Sequence, residues 1–481
     1  MGLRDDLFES FGMDGDRLLA SAVAQVLSGG PLSSVEDTMD GCMVGELIGI
    51  AERFDSPRMS EFTRRMGDSF DSMETLFEKR VSRVKEMLSY DITSVSTYSR
   101  MRGWGEWGHN RDGESLKQAN IGLVTDKKGV PAMFELYPGS ISDVATLQRT
   151  AERLKEMDAD CTIVMDRGFG SVANLAFLIE NGTSFVIPGK RGTRCVKALM
   201  SELAKRKGEV SMERIHEGVS YFVLEREVSI VPKKEKAEED DDSNDTYELE
   251  MVTSDDIRFE DGKRMKAFVC YDEKKSAEDN IKLRLTLSDI ESRLKSMNPF
   301  AAVRDIKRIA GPYAKYFDCL VDENGSLRID RKQNAYTFSA NRAGMFVMFS
   351  HGVDEWQDMM SCYDCRTYVE QAFDVLKNEL DGNRWRTPDP VSAKGRLLIK
   401  FIALILWCEL SALLRNDRKR TPVTSVLQSL DNITASRING IWYVSEVSRK
   451  NRDWMQRFGT PLPAKHYELV EHDFVPRTYL H

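Results

Sequence analysis

The first 88 residues carry a helical pattern of hydrophobic positions and no convincing strand. The clearest stretch runs from Ser60 to Met87, where apolar side chains recur at intervals of three or four residues. They are Phe62, Met66, Phe70, Met73, Phe77, Val81 and Val84. The spacing predicts a helical N-terminal region over residues 1–88. An amphipathic face reports only a surface to bury, so packing, dimerisation and binding of a DNA end all remain open for this region.

From residue 89 the pattern changes to short strands separated by turn signals. The segments SYDITSVSTYS, IGLVTD and VPAMFELYPG read as strands, and the last two form a hairpin around a Lys-Lys-Gly turn. A helix from about Asp143 to Met157, the strand CTIVMD, the helix NLAFLIENG and the strand SFVIPGK follow. This order predicts an α/β protein whose core, beginning with residues 89–187, is a mixed sheet of RNase H-like type.

Residues 188–345 interrupt this core and are interpreted as an insertion domain. They mix strand-like runs, among them YFVLEREVSI, KAFVCYD and YTFSANRAGMFVMFS, with a helical stretch from Ala277 to Arg293. An acidic linker lies near residues 233–245, where Glu238 to Asp242 place five negative charges in a row. The core resumes over residues 346–414, largely as helix, and residues 415–481 form a C-terminal region.

Composition supports a folded protein of two or three domains. The chain has 481 residues, of which 41% are hydrophobic and 30% are charged. Eight scattered cysteines without an N-terminal signal segment predict reduced thiols and a cytoplasmic, nucleoid-associated location. The most apolar run, Leu397 to Leu414, contains Lys400 and Glu409, so a buried core helix is favoured over a membrane span, and no membrane partner is expected.

The net charge of −9 counts against nucleic-acid binding by the chain as a whole. Basic residues are nevertheless concentrated in two segments of the sequence. The first set is Lys190, Arg191, Arg194, Lys197, Lys205, Arg206 and Lys207, and the second is Lys377, Arg384, Arg386, Lys394, Arg396 and Lys400. Trp385, between two arginines of the second set, fits either core packing or stacking on a base.

The segment YDCRTYVEQAFDVLK holds the most specific motif. If it is one helix, Tyr363, Arg366, Glu370 and Lys377 project into an arc of roughly 60° and frame a carboxylate with groups that bind phosphate. A neighbouring face is apolar and predicts burial. Its members are Cys362, Val369, Phe373, Leu376 and Leu380. Exposed helix charges would show a similar pattern, so the motif needs partners elsewhere in the chain.

Two aspartates supply those partners. Asp91 lies in the first predicted strand, and Asp166 ends the apolar strand CTIVMD before a glycine-containing turn. Together with Glu370 they could hold a pair of divalent cations, because Mg²⁺ prefers carboxylate oxygen and two ions can clamp the reacting oxygens of phosphoryl transfer. Asp126 is the rival for the first position, although it lies at the Lys-Lys-Gly turn, where aspartate is ordinary turn chemistry.

The Tyr-x2-Arg-x3-Glu-x6-Lys spacing resembles that of DDE transposases of the insertion-sequence 4 group. The resemblance implies an RNase H-like catalytic core interrupted by a largely β insertion domain. It also implies the catalytic triad Asp91, Asp166 and Glu370, and Mg²⁺ or Mn²⁺ as two bound ions. DNA contacts are expected from Tyr363, Arg366, Lys377, Arg384 and Arg386.

The expected function is metal-dependent cleavage and strand transfer at terminal inverted repeats. Double-stranded DNA, both repeat and target, is the expected partner, and a homodimer would hold two ends together. Two alternatives remain open, namely a domesticated relative that binds DNA without cutting it and an RNase H-like nuclease.

Overall fold

We describe the fold from a computed structural model of the chain. It describes residues 2–50, 54–97, 105–107, 116–141, 143–232, 247–252, 263–385, 387, 389–415, 421–439, 441–463 and 466–468. Arg386 and the predicted acidic linker at 233–245 lie outside these ranges. The chain divides into two compact units, the first comprising residues 1–166 and 362–481 and the second residues 167–361. The predicted insertion boundaries at 188 and 345 both fall inside the second unit.

The N-terminal part of the first unit is helical. Its helices are α1 (Leu3–Phe11), α2 (Met13–Ser28), α3 (Val35–Asp40), α4 (Val44–Ile48), α5 (Ser56–Asp68) and α6 (Phe70–Val81). The helical pattern from Ser60 to Met87 corresponds to α5 and α6, but the helix is broken at Ser69 and ends at Val81, before the first strand begins at Met87. Phe70 is consequently 54% exposed, although the hydrophobic periodicity would bury it.

The core of the first unit begins with a hairpin-containing sheet. Its elements are β1 (Met87–Thr97), β2 (Lys117–Asp126), β3 (Pro131–Pro138), α7 (Asp143–Glu156) and β4 (Thr162–Met165). The strands lie in the order β3-β2-β1-β4, with β1 and β2 antiparallel and β1 and β4 parallel. The antiparallel pairing of β2 and β3 confirms the predicted hairpin, and α7 confirms the predicted helix.

The second unit contains a sheet and a separate helical cluster. Its elements are α8 (Val172–Glu180), β5 (Phe185–Pro188), α9 (Arg194–Arg206), β6 (Glu213–His216), β7 (Val219–Pro232), β8 (Tyr247–Met251), β9 (Lys263–Asp272), α10 (Glu273–Lys295), α11 (Pro299–Ala310), β10 (Phe317–Val321), β11 (Leu327–Arg331), α12 (Gln333–Ala340) and β12 (Met345–His351). Within this unit the sheet order is β5-β12-β9-β7-β6, with β8 paired to β7.

Two expectations for this unit need correction. The run YTFSANRAGMFVMFS is not one strand, because its first part forms α12 and only its last residues form β12. The described part of residues 188–345 is not largely β either, since it contains helices α9 to α12 beside its strands. Leu287, Leu294 and Tyr316 belong to a buried cluster of the helical part, whose apolar contacts favour helix over strand there.

The chain then passes through α13 (Trp356–Asp364) into the C-terminal part of the first unit. There follow α14 (Arg366–Asp374), a π-helical turn (Val375–Glu379), β13 (Arg384–Trp385), α15 (Pro390–Leu414), α16 (Val423–Leu430), β14 (Ala435–Ile438), β15 (Ile441–Val444), α17 (Arg449–Arg457) and β16 (His466–Glu468).

Helix α15 lies in the core of the first unit. Asp389 caps its first turn by accepting a hydrogen bond from the Ser392 amide at 2.9 Å. Phe401 of α15 packs edge-to-face against Phe77 of α6, with ring centroids 5.6 Å apart, and also contacts Phe134 of β3. By length and composition α15 could cross a bilayer, but 67% of its most apolar window is buried against the protein itself, as in a core helix.

Candidate active site

Two of the predicted acids follow paired residues of neighbouring strands in the first unit's sheet, Asp91 within β1 and Asp166 directly after β4. Tyr90 of β1 and Met165 of β4 are partners in a parallel register, and Asp91 and Asp166 are the next residues of the two chains. Neighbouring parallel strands are about 4.8 Å apart, and residues in register point to the same face. The strand pairing therefore brings the two aspartates together from positions 75 residues apart, the difference between 166 and 91.

Helix α14 adds the third acid. It packs against β1 and β2, with Val369 and Phe373 buried, while the Glu370 side chain remains 49% exposed. Arg366 donates from Nη1 to Asp166 Oδ1 at 2.5 Å and from Nη2 to Glu370 Oε1 at 2.8 Å. One guanidinium thus joins Asp166 to Glu370, so the two carboxylates lie no farther apart than its width plus two hydrogen bonds.

The arrangement of the Tyr-Arg-Glu-Lys motif differs from the predicted single helical face. Tyr363 belongs to α13, Arg366 and Glu370 belong to α14, and Lys377 lies in the π-helical turn. The Leu380 amide donates to the Val375 carbonyl at 3.1 Å, the i to i+5 pattern that turns the chain less per residue than an α-helix. The expected single α-helix through this segment is therefore wrong, because Lys377 lies in the π-helical turn.

Two parts of the prediction for this segment do agree with the structure. Tyr363 lies next to Arg366, whose guanidinium carbon is 5.4 Å from the centre of the tyrosine ring. The apolar face is also confirmed for four of its five members, while Cys362 is half-buried. The buried members are Val369, Phe373, Leu376 and Leu380.

Asp126, the rival of Asp91, is engaged in a turn. Its Oδ1 accepts hydrogen bonds from the amides of Lys128 and Val130, each at 2.8 Å, and thereby closes the turn between β2 and β3. It pairs with Leu88 in the β1–β2 register, whereas Asp91 pairs with Leu123. Asp126 therefore lies beside the beginning of β1, and its side chain stabilises the turn, as expected from its sequence context.

The basic residues after the glutamate helix are placed by β13. This short strand runs parallel to β1, pairing Arg384 with Ser96 and Trp385 with Thr97. The Arg384 side chain is exposed, and Trp385 is buried at 7% exposure, which confirms the core-packing interpretation of the tryptophan. Arg384 lies opposite a residue five strand positions beyond Asp91, or about 17 Å along β1.

The buried position of Lys400 is a feature that the sequence only hinted at, as a charge inside an apolar run. Its Nζ donates to the Leu380 carbonyl at 2.7 Å and also to the Asp381 carbonyl, and so it binds the chain just after the π-helical turn. Desolvation lowers the pKa of Lys400 to about 8, partly offset by the nearby Asp381 carboxylate.

All eight cysteines are thiols outside any disulfide bond. Cys362 and Cys365 are half-buried, and burial raises the pKa of Cys365, with a further contribution from Asp364. The Cys365 thiol is therefore not activated as a nucleophile or redox group.

The comparisons with known proteins give one family for this chain. The family described as "Transposase DDE domain" matches residues 82–406, a range that includes Asp91, Asp166 and Glu370. A search of curated proteins gives no match. Since the matched range covers more than half of the 481 residues, the chain belongs to the transposase DDE domain family.

Proposed function

We propose that this protein is the transposase of an insertion sequence, which cuts DNA at terminal inverted repeats and joins the free 3′ ends to a target. The observation that carries the proposal is the joining of Asp166 to Glu370 through Arg366, next to Asp91 in the adjacent strand. Membership of the transposase DDE domain family supports transposition as the biological process.

We propose further that the core is RNase H-like and that the protein belongs to the insertion-sequence 4 group. The strand order β3-β2-β1-β4, with β4 parallel to β1, is consistent with such a core. The Tyr363, Arg366, Glu370 and Lys377 spacing supports the group assignment, although the π-helical turn separates Lys377 from the others. Residues 188–345 would be the insertion domain.

The chemistry of the three carboxylates suits divalent cations, and the proposed pair is Mg²⁺ or Mn²⁺. All candidate ligands are hard oxygen donors, and the side chains of Asp166 and Glu370 are 43% and 49% exposed, so hydrated ions can reach them. When bound, such ions would activate the attacking oxygen and stabilise the leaving oxygen of an in-line displacement. Asp91, Asp166 and Glu370 would hold them, and no side-chain nucleophile is then required.

The neighbouring cationic and phenolic groups would position the DNA. Tyr363 of α13, Arg366 of α14 and Lys377 of the π-helical turn would contact phosphates and so fix the DNA strand relative to the acids. Arg384, and Arg386 beyond the described residues, would extend these contacts to duplex flanking the cleavage site. We propose a homodimer that holds two ends together in the nucleoid, with the N-terminal helices available for DNA-end binding or dimerisation.

The test uses duplex DNA carrying the inverted repeats that flank the gene, a target plasmid and Mg²⁺. We expect Asp91→Ala, Asp166→Ala and Glu370→Ala each to lower strand cleavage by at least about a thousandfold, since each removes an ion-binding carboxylate. Binding to the repeat in a mobility-shift assay should remain measurable in all three variants.

Asp126→Ala is the matched control, because it removes a carboxylate from the same sheet but from a turn. We expect it to cut and join DNA at a rate within about threefold of the wild type if it folds, which thermal melting checks. Retained cleavage in the Glu370 variant would contradict the assignment. Cleavage without joined products would indicate a nuclease instead of a transposase.

A further inference from the structure

A polar cavity of about 540 Å³ lies in the first unit, away from the three acids. One wall is formed by α5 and the short segment before α3, and the other by α15 and the chain around β13. Hydroxyl groups of Ser56, Ser60, Thr63 and Thr387 line it together with Arg384, Arg396 and Lys400. Apolar residues such as Leu32, Met59 and Leu397 also line it, and the hydroxyls of Ser60 and Thr63 already donate to carbonyls of α5. The cationic side chains are therefore the groups that could bind a ligand here.

The two helices that form the cavity cross at backbone contact. A Cβ atom added at Gly395 of α15 would lie 1.7 Å from the Thr63 carbonyl oxygen, and one added at Gly67 of α5 would lie 1.9 Å from the Val391 carbonyl oxygen. Only glycine allows so close an approach. The crossing fixes Ser56, Ser60 and Thr63 of α5 relative to Arg396, which follows Gly395 in α15.

The charges in the cavity are unbalanced. Arg384, Arg396 and Lys400 are cationic, and the carboxylate among the lining residues belongs to Asp381, which is 3.9 Å from the Lys400 Nζ. Lys400 is already occupied by two backbone carbonyls. The half-buried Arg396, by contrast, has no hydrogen-bond or ion-pair partner among the described residues.

An unpaired guanidinium in a half-buried position is costly, because its five donors lose water without gaining acceptors. Desolvation lowers the pKa of Arg396, with only the charge of Asp389 acting in the opposite direction. An anion in the cavity would satisfy the donors and remove this cost. Planar bidentate donors of this kind match the oxygens of a phosphate group.

We propose that this cavity binds a backbone phosphate of the DNA duplex, with Arg396 as its central ligand and Arg384 at its rim. The proposal rests on the proposed function and adds a DNA contact that is separate from the acids. Arg384 lies about 17 Å along β1 from the position of Asp91, which corresponds to about five base pairs of duplex DNA. The cavity is also larger than a free phosphate ion requires, which favours a phosphate carried by a strand.

The first experiment compares Arg396→Gln with the wild type in binding a fluorescein-labelled terminal-repeat duplex, measured by anisotropy in EDTA. We expect affinity to fall about tenfold, because one charge-assisted phosphate contact is lost. The slope of log K against log salt should become shallower by about 0.9. Arg396→Lys keeps the charge but not the bidentate geometry, so it should keep the salt slope of the wild type and recover only part of the affinity. A purely structural role would not predict the retained salt slope.

Arg452→Gln is the control, since Arg452 is an exposed arginine on α17 of the same unit and does not line the cavity. Its affinity should match that of the wild type. Circular dichroism and melting temperature show whether each variant is folded. Equal affinities and equal salt slopes for folded Arg396→Gln and the wild type would overturn the proposal.

The second experiment locates the phosphate. Duplexes that carry a single uncharged methylphosphonate at successive positions should show one position, about five base pairs from the cleavage site, where the wild type loses affinity and Arg396→Gln does not. If no position behaves in this way, the assignment is wrong. If inorganic phosphate stabilises the wild type but not the variant, while DNA affinity is equal for both, a free anion is the ligand and the DNA assignment fails.

These measurements are made without divalent cations and do not depend on cleavage. A protein that binds DNA through Arg396 but never joins strands would contradict the proposed function and leave this inference standing. An active transposase whose DNA affinity does not change when Arg396 is replaced would support the proposed function and contradict this inference.

Discussion

Two arginines of the first unit each form ion pairs with two carboxylates. One of the two networks contains a buried carboxylate, Glu135, whereas both carboxylates of the other are open to solvent. In the Arg153 network, Arg153 contacts Glu74 at 2.5 Å and also Glu135. In the Arg366 network, Arg366 contacts Asp166 and Glu370. The residue types and contacts are nearly the same, so composition alone does not distinguish them.

Burial and hydrogen bonding separate the two networks. The Glu135 side chain is only 4% exposed and also accepts hydrogen bonds from the hydroxyls of Tyr137 and Thr150, the latter at 3.1 Å. Asp166 and Glu370 are 43% and 49% exposed. A carboxylate that is buried and fully hydrogen-bonded stabilises the fold. A carboxylate that remains exposed to solvent can exchange its arginine partner for a metal ion.

The largest expected effect is on stability. Arg153→Met should lower the free energy of unfolding by about 3 kcal/mol, because the buried Glu135 then keeps only the exposed Arg149, 3.7 Å away, as its counter-charge. Arg366→Met should lower it by less than about 1 kcal/mol, because the partners of Arg366 are solvated. Urea denaturation of both variants measures the difference, and equal losses would remove the distinction between the networks.

A second prediction concerns Lys400, a buried cation held by backbone carbonyls instead of a bidentate carboxylate. Desolvation lowers its pKa from 10.5 to about 8 in the folded protein. Between these values the unfolded chain binds more protons than the folded one, so the contribution of Lys400 to stability rises with pH, by about 1.4 kcal/mol per pH unit.

The check compares the wild type with Lys400→Met by urea denaturation from pH 7 to pH 10. The comparison is necessary because burial raises the pKa values of Cys161, Cys195, Cys270 and Cys408 to about 12, which lowers stability over the upper part of this range. The wild type should gain stability relative to the variant above pH 8. Parallel curves would show that Lys400 keeps an ordinary pKa.

The smallest expected effect is a change in the affinity of the Arg366 network for a divalent cation. A divalent ion that binds Asp166 and Glu370 competes with the Arg366 guanidinium for the same oxygens. Arg366→Met should therefore bind Mn²⁺ a few-fold more tightly, since each exposed ion pair contributes about 1 kcal/mol or less. Titration calorimetry without DNA measures this affinity, and weaker binding by the variant would indicate that Arg366 orients the acids instead of competing for them.

Some elements could be predicted from the sequence because local physics decides them. The hairpin of β2 and β3 follows from alternating residues around a turn that Asp126 closes with its own carboxylate. The buried face of the glutamate helix follows from apolar spacing, as Val369, Phe373 and Leu376 confirm. In these cases the sequence pattern and the tertiary environment favour the same structure.

Other elements could not be predicted, because hydrophobic periodicity shows which side of a helix is apolar but not where the helix ends. The break at Ser69 leaves Phe70 exposed although its spacing is that of a core residue. The π-helical turn at 375–379 is followed by carbonyls that accept hydrogen bonds from the distant Lys400, and no local signal encodes such a contact. The sequence of α12 predicts a strand instead of a helix, because short apolar runs fit both patterns.

By itself, the sequence determined which residues could do chemistry, since three acids and a Tyr-Arg-Glu-Lys spacing are legible in the chain. Only the tertiary structure decided which of these groups meet. Asp91 and Asp166 become neighbours through the register of two parallel strands, and Arg366 reaches both Asp166 and Glu370 because α14 packs on that sheet. Strand register and helix packing are set by burial of side chains from distant parts of the chain, and no local stretch of sequence contains that information.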